Sequence, residues 1–229
     1  MVEGGSGRPL LVRPLPKYRM LSITTPATSR ALTTVPTLET ALGAEAAALS
    51  PDLMALLIDQ ASAIIVGYLG VSLASETVQE IIRPAARDRS NRPVLLSRWP
   101  VTAIASVTAD GSPLTADIDY EASLAAGMVW RLSGSALVAW TGYRVTFTYT
   151  AGYVLPGTAG RTLPVDIEAC AIDLVRYLNA GRSRDPALRS QSVLNGLVSE
   201  SFYNGNNGAE TGMPGDIAYR LAPYRTVRL

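Results

Sequence analysis

Histidine is absent from the chain. That removes every mechanism in which imidazole acts as base, acid or metal ligand, including the Ser-His-Asp arrangement. Cysteine occurs once, at Cys170. A lone thiol excludes an intramolecular disulfide and any cysteine-cluster metal site. Charge is also scarce, at 17% of residues, and nearly balanced, with 20 basic and 19 acidic side chains. A net charge of +1 gives no overall basic field to hold DNA by counterion release. Lysine is reduced to Lys17, so the basic residues are otherwise arginine. The bias reads first as a GC-rich genome and second as selection for arginine forks at contacts. No signal peptide is visible. The longest uncharged stretch, Gln60 to Ser75, is broken by Ser62, Gly67 and Gly70 and is too short for a membrane span. A soluble chain that engages no membrane is expected.

What is present is apolar residues, at 48% of the chain, in 229 residues. That suffices for a core without metal or disulfide staples. Residues 1–37 read as a proline-rich extended arm, with Pro9, Pro14, Pro16, Pro26 and Pro36 interrupting Leu10, Leu11, Leu15, Met20, Leu21 and Ile23. A main domain over 38–181 follows. Ser50-Pro51-Asp52 opens a helix that Gly70 stops. That helix is apolar on more than one face, which suggests burial or a subunit contact through Met54, Ile58, Ile65 and Leu69. A weaker helix precedes it near Leu38 to Leu49.

Residues 77–153 read as a β module. Val101, Ala103, Ala105 and Val107 alternate towards one side, Asp110-Gly111 signals a hairpin, and Tyr143, Val145, Phe147 and Tyr149 alternate again. A second long helix spans about 164–180, with Ile167, Ala171, Leu174 and Leu178 as its stripe. Residues 182–215 read as a flexible segment and 216–229 as a C-terminal arm. The fold class is therefore α+β: a helical core of two main helices plus short ones, an inserted antiparallel meander or small sandwich, and extended N- and C-terminal arms.

Candidate sites are few. Asp110, Asp117, Asp119 and Glu121 could hold a hard cation, but their spacing is not that of a calcium loop and a solvated face explains them more simply. Trp99, Trp130 and Trp140 would form a sugar or base platform only if exposed, and core packing is the commoner use. Arg83, Arg87, Arg89, Arg92 and Arg98 form the most basic stretch after the first arm and are candidates for DNA or partner contact. Cys170, mid-helix, reads as an inert core residue. No catalytic residue, metal ligand or cofactor site is assigned.

The order of certain segments carries a resemblance. Tyr68-Leu69-Gly70 ends a helix, and Arg92-Pro93-Val94 and Trp99-Pro100-Val101 lead strands. Asp110-Gly111 and Tyr120 come next, then Val145 to Tyr153 (VTFTYTAGY). Leu163-Pro164-Val165-Asp166-Ile167 opens a helix, and Leu221-Ala222-Pro223-Tyr224-Arg225 lies in the tail. This order resembles the head-tail connectors (adaptors) of long-tailed bacteriophages and gene transfer agents, over residues 38–180 and the last dozen. The resemblance implies a non-enzymatic virion protein without cofactors. It implies a dodecameric ring beneath the portal protein that continues the DNA channel and meets the stopper or tail-completion protein. It places the chain in the neck, between capsid and tail, after assembly in the host cytoplasm. It also implies portal contact through the tail, where Tyr219, Leu221, Tyr224, Arg225, Arg228 and Leu229 are the available anchors. The alternatives are a stopper or tail-completion role, a carbohydrate-binding β module of a phage particle, and, third, an enzyme with an unforeseen carboxylate site.

Overall fold

The structure is a computed structural model. It describes residues 19–84, 91–182, 190–193, 198–201 and 213–225, with the backbone alone for 190–193 and 198–201. The chain forms two units, and it crosses between them three times: of the described residues, one unit holds those up to Thr24 and between Thr77 and Thr150, the other those between Thr25 and Glu76 and from Ala151 on.

The second unit is built on helices. The Thr34 hydroxyl accepts from Thr37 N and caps α1 (Val35–Leu42), which passes into a 3-10 turn, Gly43–Ala48. Ser50 caps α2 (Pro51–Leu69) by accepting from Leu53 N, Pro51 fits the first turn, and Gly70 ends it at φ 72°. α3 (Val165–Arg182) packs along α2, and α4 (Gly215–Leu221) packs on α3. Leu57, Ile65, Ile167, Leu174, Ile217 and Leu221 meet in a single core. Two stretches expected to be extended contribute to it. Leu32 and Thr33 are buried, with Leu32 N donating to Ser62 Oγ at 3.0 Å and the Thr33 hydroxyl donating to Glu168 Oε1 at 3.1 Å. The residues after the last crossing include Gly152, at φ +112°, where a Cβ would collide with the Ala74 carbonyl. Only glycine allows Ala74 and Tyr153 to form their bridge beside it.

The first unit is β. Its larger sheet has the order β1-β2-β9-β4-β5, with β1 (Arg19–Thr25), β2 (Glu76–Ile82), β4 (Val101–Ala109), β5 (Ser112–Leu114) and β9 (Val145–Ala151). A four-stranded sheet comprises β3 (Val94–Leu95), β6 (Tyr120–Ser123), β7 (Met128–Ser133) and β8 (Ala136–Val138), with β7 pairing to the other three. Trp140 ties the two sheets together. Its ring meets Phe147 of β9 edge-on at 5.4 Å, and its N–H donates to the Val129 carbonyl of β7.

The β9 alternation holds for Val145, Phe147, Tyr149 and Ala151, all buried. Tyr143 lies outside that strand and is exposed: Asp110 Oδ1 accepts from the Tyr143 and Arg144 backbone N–H groups and starts the strand later. In β4 only Val101 and Val107 of the expected face are buried. Ala103 and Ala105 are exposed, because neighbours cover that face only at its ends. Part of the expected arm is β1, which adds an edge strand to the sheet. The segment expected to be flexible holds an antiparallel hairpin of β10 (Ser190–Val193) and β11 (Val198–Ser201), with Ser190 opposite Ser201.

A buried carboxylate holds the larger sheet together. Glu80 Oε1 accepts from Arg19 Nη1 at 3.1 Å and from the Ser97 hydroxyl at 2.6 Å, and Oε2 accepts from Ser97 N at 2.9 Å and the Tyr149 hydroxyl at 2.7 Å. Glu80→Gln puts an N–H₂ donor among four donors. It should destabilise the protein by about 3 kcal/mol in urea unfolding. Gly152→Ala should cost about 2 kcal/mol or more by the same measurement, since both the conformation and the space oppose a side chain.

Candidate partner-binding surfaces

The expected subunit contacts through Met54, Ile58, Ile65 and Leu69 are corrected by the packing. All four side chains are buried in the core of their own unit, where α1, α3 and α4 supply the cover. The face of α2 left in solvent carries Ala55, Leu56, Asp59, Gln60, Ala63 and Gly67. By length and composition alone α2 could cross a bilayer, yet six of its apolar residues lie in the core, which accounts for its apolar character.

The tail is divided in the same way. Leu221 is buried, and Tyr219 is 82% exposed. Two residues along a helix turn the side chain by ~200°, so the two face opposite ways. α4 is fixed by more than Leu221. Ile217 and the preceding Met213 are buried, the Tyr68 hydroxyl donates to the Ala218 carbonyl at 3.0 Å, and Arg220 pairs with Asp173 at 2.7 Å. Arg225 lies over the Tyr68 ring at 5.3 Å. The start of the expected arm is therefore a docked element of the core. Arg228 and Leu229 lie outside the described residues.

Tyr224 donates to Asp166 Oδ2 at 2.7 Å, and that bond, ahead of burial, pushes its phenol up to about 12. Burial pushes the Cys170 thiol up, which keeps it protonated and inert.

The arginine stretch divides as well. Arg83 and Arg92 are exposed, whereas Arg98 is buried, its backbone N–H donating to the Tyr149 hydroxyl at 3.2 Å. Arg87 and Arg89 lie outside the described residues. Burial and the nearby Glu80 carboxylate push the Tyr149 phenol well above its ordinary range.

The four carboxylates of the β module do not converge. Asp110 serves the Tyr143 and Arg144 N–H groups, and Asp119 accepts from Thr115 N at 2.9 Å and pairs with Arg131. The Thr115 bond, with Arg131 helping, holds the Asp119 carboxyl below the usual range. Asp117 and Glu121 point to solvent. No group of three or more metal-ligating side chains occurs among the described residues. The sugar-platform alternative needs a row of exposed tryptophans. Trp140 is buried, and Trp99 and Trp130 are half-buried. Sequence reasoning took Met20, Leu21 and Ile23 as apolar beads of an extended arm, and the structure sets them on the strand β1.

Leu221→Ala should cost about 2–5 kcal/mol of unfolding free energy, where a free arm would lose nothing. Tyr224 makes the stability of this unit depend on alkaline pH. Its folded-state pKa of about 12 lies above the ~10 of an unfolded phenol, so its contribution is complete below ~pH 10 and is lost as pH rises towards 12. Tyr224→Phe should flatten part of the fall in melting temperature across that window.

Solved structures share this fold. The chain is similar to a protein in the neck of the native gene transfer agent particle, computed with twelvefold symmetry, at TM-score 0.54 and 20% identity over 92% of this chain and 97% of that one. The same identity and coverage recur against the neck of the empty particle, computed with sixfold symmetry, at TM-score 0.56, and against the virion of the native particle at 0.55. No curated protein matches. The family model for head completion proteins matches residues 31–227, spanning both units and the docked α4, and the chain belongs to that family.

Proposed function

We propose that the chain is a structural, non-enzymatic component of a virion neck. It acts there as a head-tail adaptor, a ring of copies between portal and tail that continues the DNA channel. The observation that carries this reading is the family match over 31–227, supported by a fold that covers 97% of a gene transfer agent neck protein. The structure adds physical reasons. Three carboxylates of the β unit are committed to structural partners: Asp110 to backbone N–H groups, Asp119 to Thr115 and Arg131, Glu80 to its four donors.

The portal protein is the partner proposed for the tail, with Tyr219 as its exposed anchor and Arg225 beside the Tyr68 ring. The stopper or tail-completion protein is the partner on the tail side. DNA passes without being gripped. Among the described residues of the basic stretch Arg83 and Arg92 are exposed, and a chain with a net charge of +1 is expected to make only weak, salt-labile contact.

The test is removal of the gene from the producing phage or particle. Filled heads without tails, restored by supplying the chain, are expected on electron micrographs. Normal tailed particles would overturn the reading. Tyr219→Ala should weaken binding to purified portal at least tenfold while leaving the melting temperature unchanged. DNA retention by the purified chain should vanish by ~0.2 M salt. Sequence-specific binding that survives such salt would refute the adaptor role.

A further inference from the structure

Among the described residues β1 is the outermost strand of the larger sheet, and all seven of its residues are exposed. Met20, at 65%, and Leu21 and Ile23 make it an apolar edge with no proline and no carboxylate. Proteins ordinarily blunt such an edge, since an open apolar strand invites association. The opposite edge is blunted: β5 has three residues, with Pro113 at its centre opposite Thr108. Beyond β5 the chain turns, and that turn exposes Ile118, at 63%, between Asp117 and Asp119. Asp119 is occupied by Thr115 and Arg131, so Asp117 and the nearby Glu121 are the free acids there.

The β1 side carries the opposite charge. Thr24 bonds the Thr77 carbonyl, Ser22 that of Gln79, and Arg19 reaches Glu80, so β1 runs antiparallel to β2. Exposed Arg83, just after β2, therefore stands beyond the Arg19 end of β1. The larger sheet thus ends on one side in the exposed apolar β1, with Arg83 beyond its end, and on the other in the short β5, whose chain continues into a turn that exposes Ile118 between acids. A closed cyclic assembly needs two different, mutually complementary surfaces on each copy, set on different sides of it. Two like surfaces would close a dimer instead.

We propose that β1 of one copy, with Arg83 at its end, packs on the Asp117–Glu121 turn of the next copy, and that this contact repeated head to tail closes the ring. The proposal rests on the adaptor reading for the existence of a ring, and on the two sheet edges for where the copies meet. Apolar contact of β1 with Ile118 supplies the adhesion, and the Arg83–acid pairing sets the direction and excludes β1-to-β1 dimers.

Disulfide trapping in assembled particles tests it, using the full chain. Cys170 is buried and does not interfere. A chain carrying both Ile23→Cys and Ile118→Cys should give a ladder of linked oligomers on mild oxidation, and each single variant should stay monomeric on the gel. Arg83→Glu and Glu121→Arg should each cut the yield of rings at least tenfold with the melting temperature unchanged, and the two together should restore it. A disulfide-linked dimer from Ile23→Cys alone would mean that like edges meet, and would overturn the proposal. So would assembled rings without any ladder, or charge reversals that leave rings intact but lose portal binding. A neck holding one copy of the chain would instead refute the ring itself.

Discussion

The Glu80 carboxylate is the constraint on which the β unit depends. Its side chain has no solvent exposure, and a buried carboxylate is tolerable only when its oxygens are met by donors. The four donors come from places remote in sequence: Arg19 on β1, Ser97 between β3 and β4, and Tyr149 on β9. None of them satisfies Glu80 unless the sheet has formed around it. The network therefore turns β1 from a proline-flanked tail into a member of the sheet. It also fixes the strand order at the point where local propensity is weakest, since Arg19 to Thr25 shows no burial alternation.

The helical unit repeats the device. Glu76 is buried and pairs with Arg30 at 2.7 Å, and Glu168 is nearly buried and pairs with Arg161 at 2.6 Å. In all three pairs the glutamate is inside while the arginine reaches it from a partly exposed position. Arginine suits this use, because its fork stays charged and offers several donors along an apolar stem. These three contacts show a physical use for it that lysine would serve less well.

Much of the fold was legible from local chemistry. Ser50-Pro51-Asp52 and Gly70 mark α2 to within a residue, and the period of two in Val145, Phe147 and Tyr149 marks β9. The failures have a common cause, which is that tertiary partners decide them. β1 is exposed on both faces, so no periodicity could announce it. The tail looked too poor in apolar mass to hold itself down. Met213, Ile217 and Leu221 suffice because the core already present lacks only a lid. α2 looked over-apolar for one core because the sequence did not show that cover would come from α1, α3 and α4 together. The candidate surfaces were legible as residue types but not as sides: Leu221 and Tyr219 are both plausible anchors in sequence, and only the helix phase separates the buried one from the exposed one.

The role proposed for the chain, lining a passage for DNA, asks that it be strongly bonded within itself and weakly bonded to what passes. These demands compete for the same side chains, because arginines that stiffen a protein also attract phosphate. Here the competition is resolved by occupation. Arg19, Arg30, Arg161 and Arg220 each face a carboxylate within 3.1 Å, and Arg131 pairs with Asp119. A guanidinium paired in this way contributes little field at the distance of a passing duplex, since its partner's charge cancels it beyond about one Debye length. The chain can thus be rich in arginine and keep a net charge of only +1, which leaves the exposed Arg83 for the contact proposed between copies.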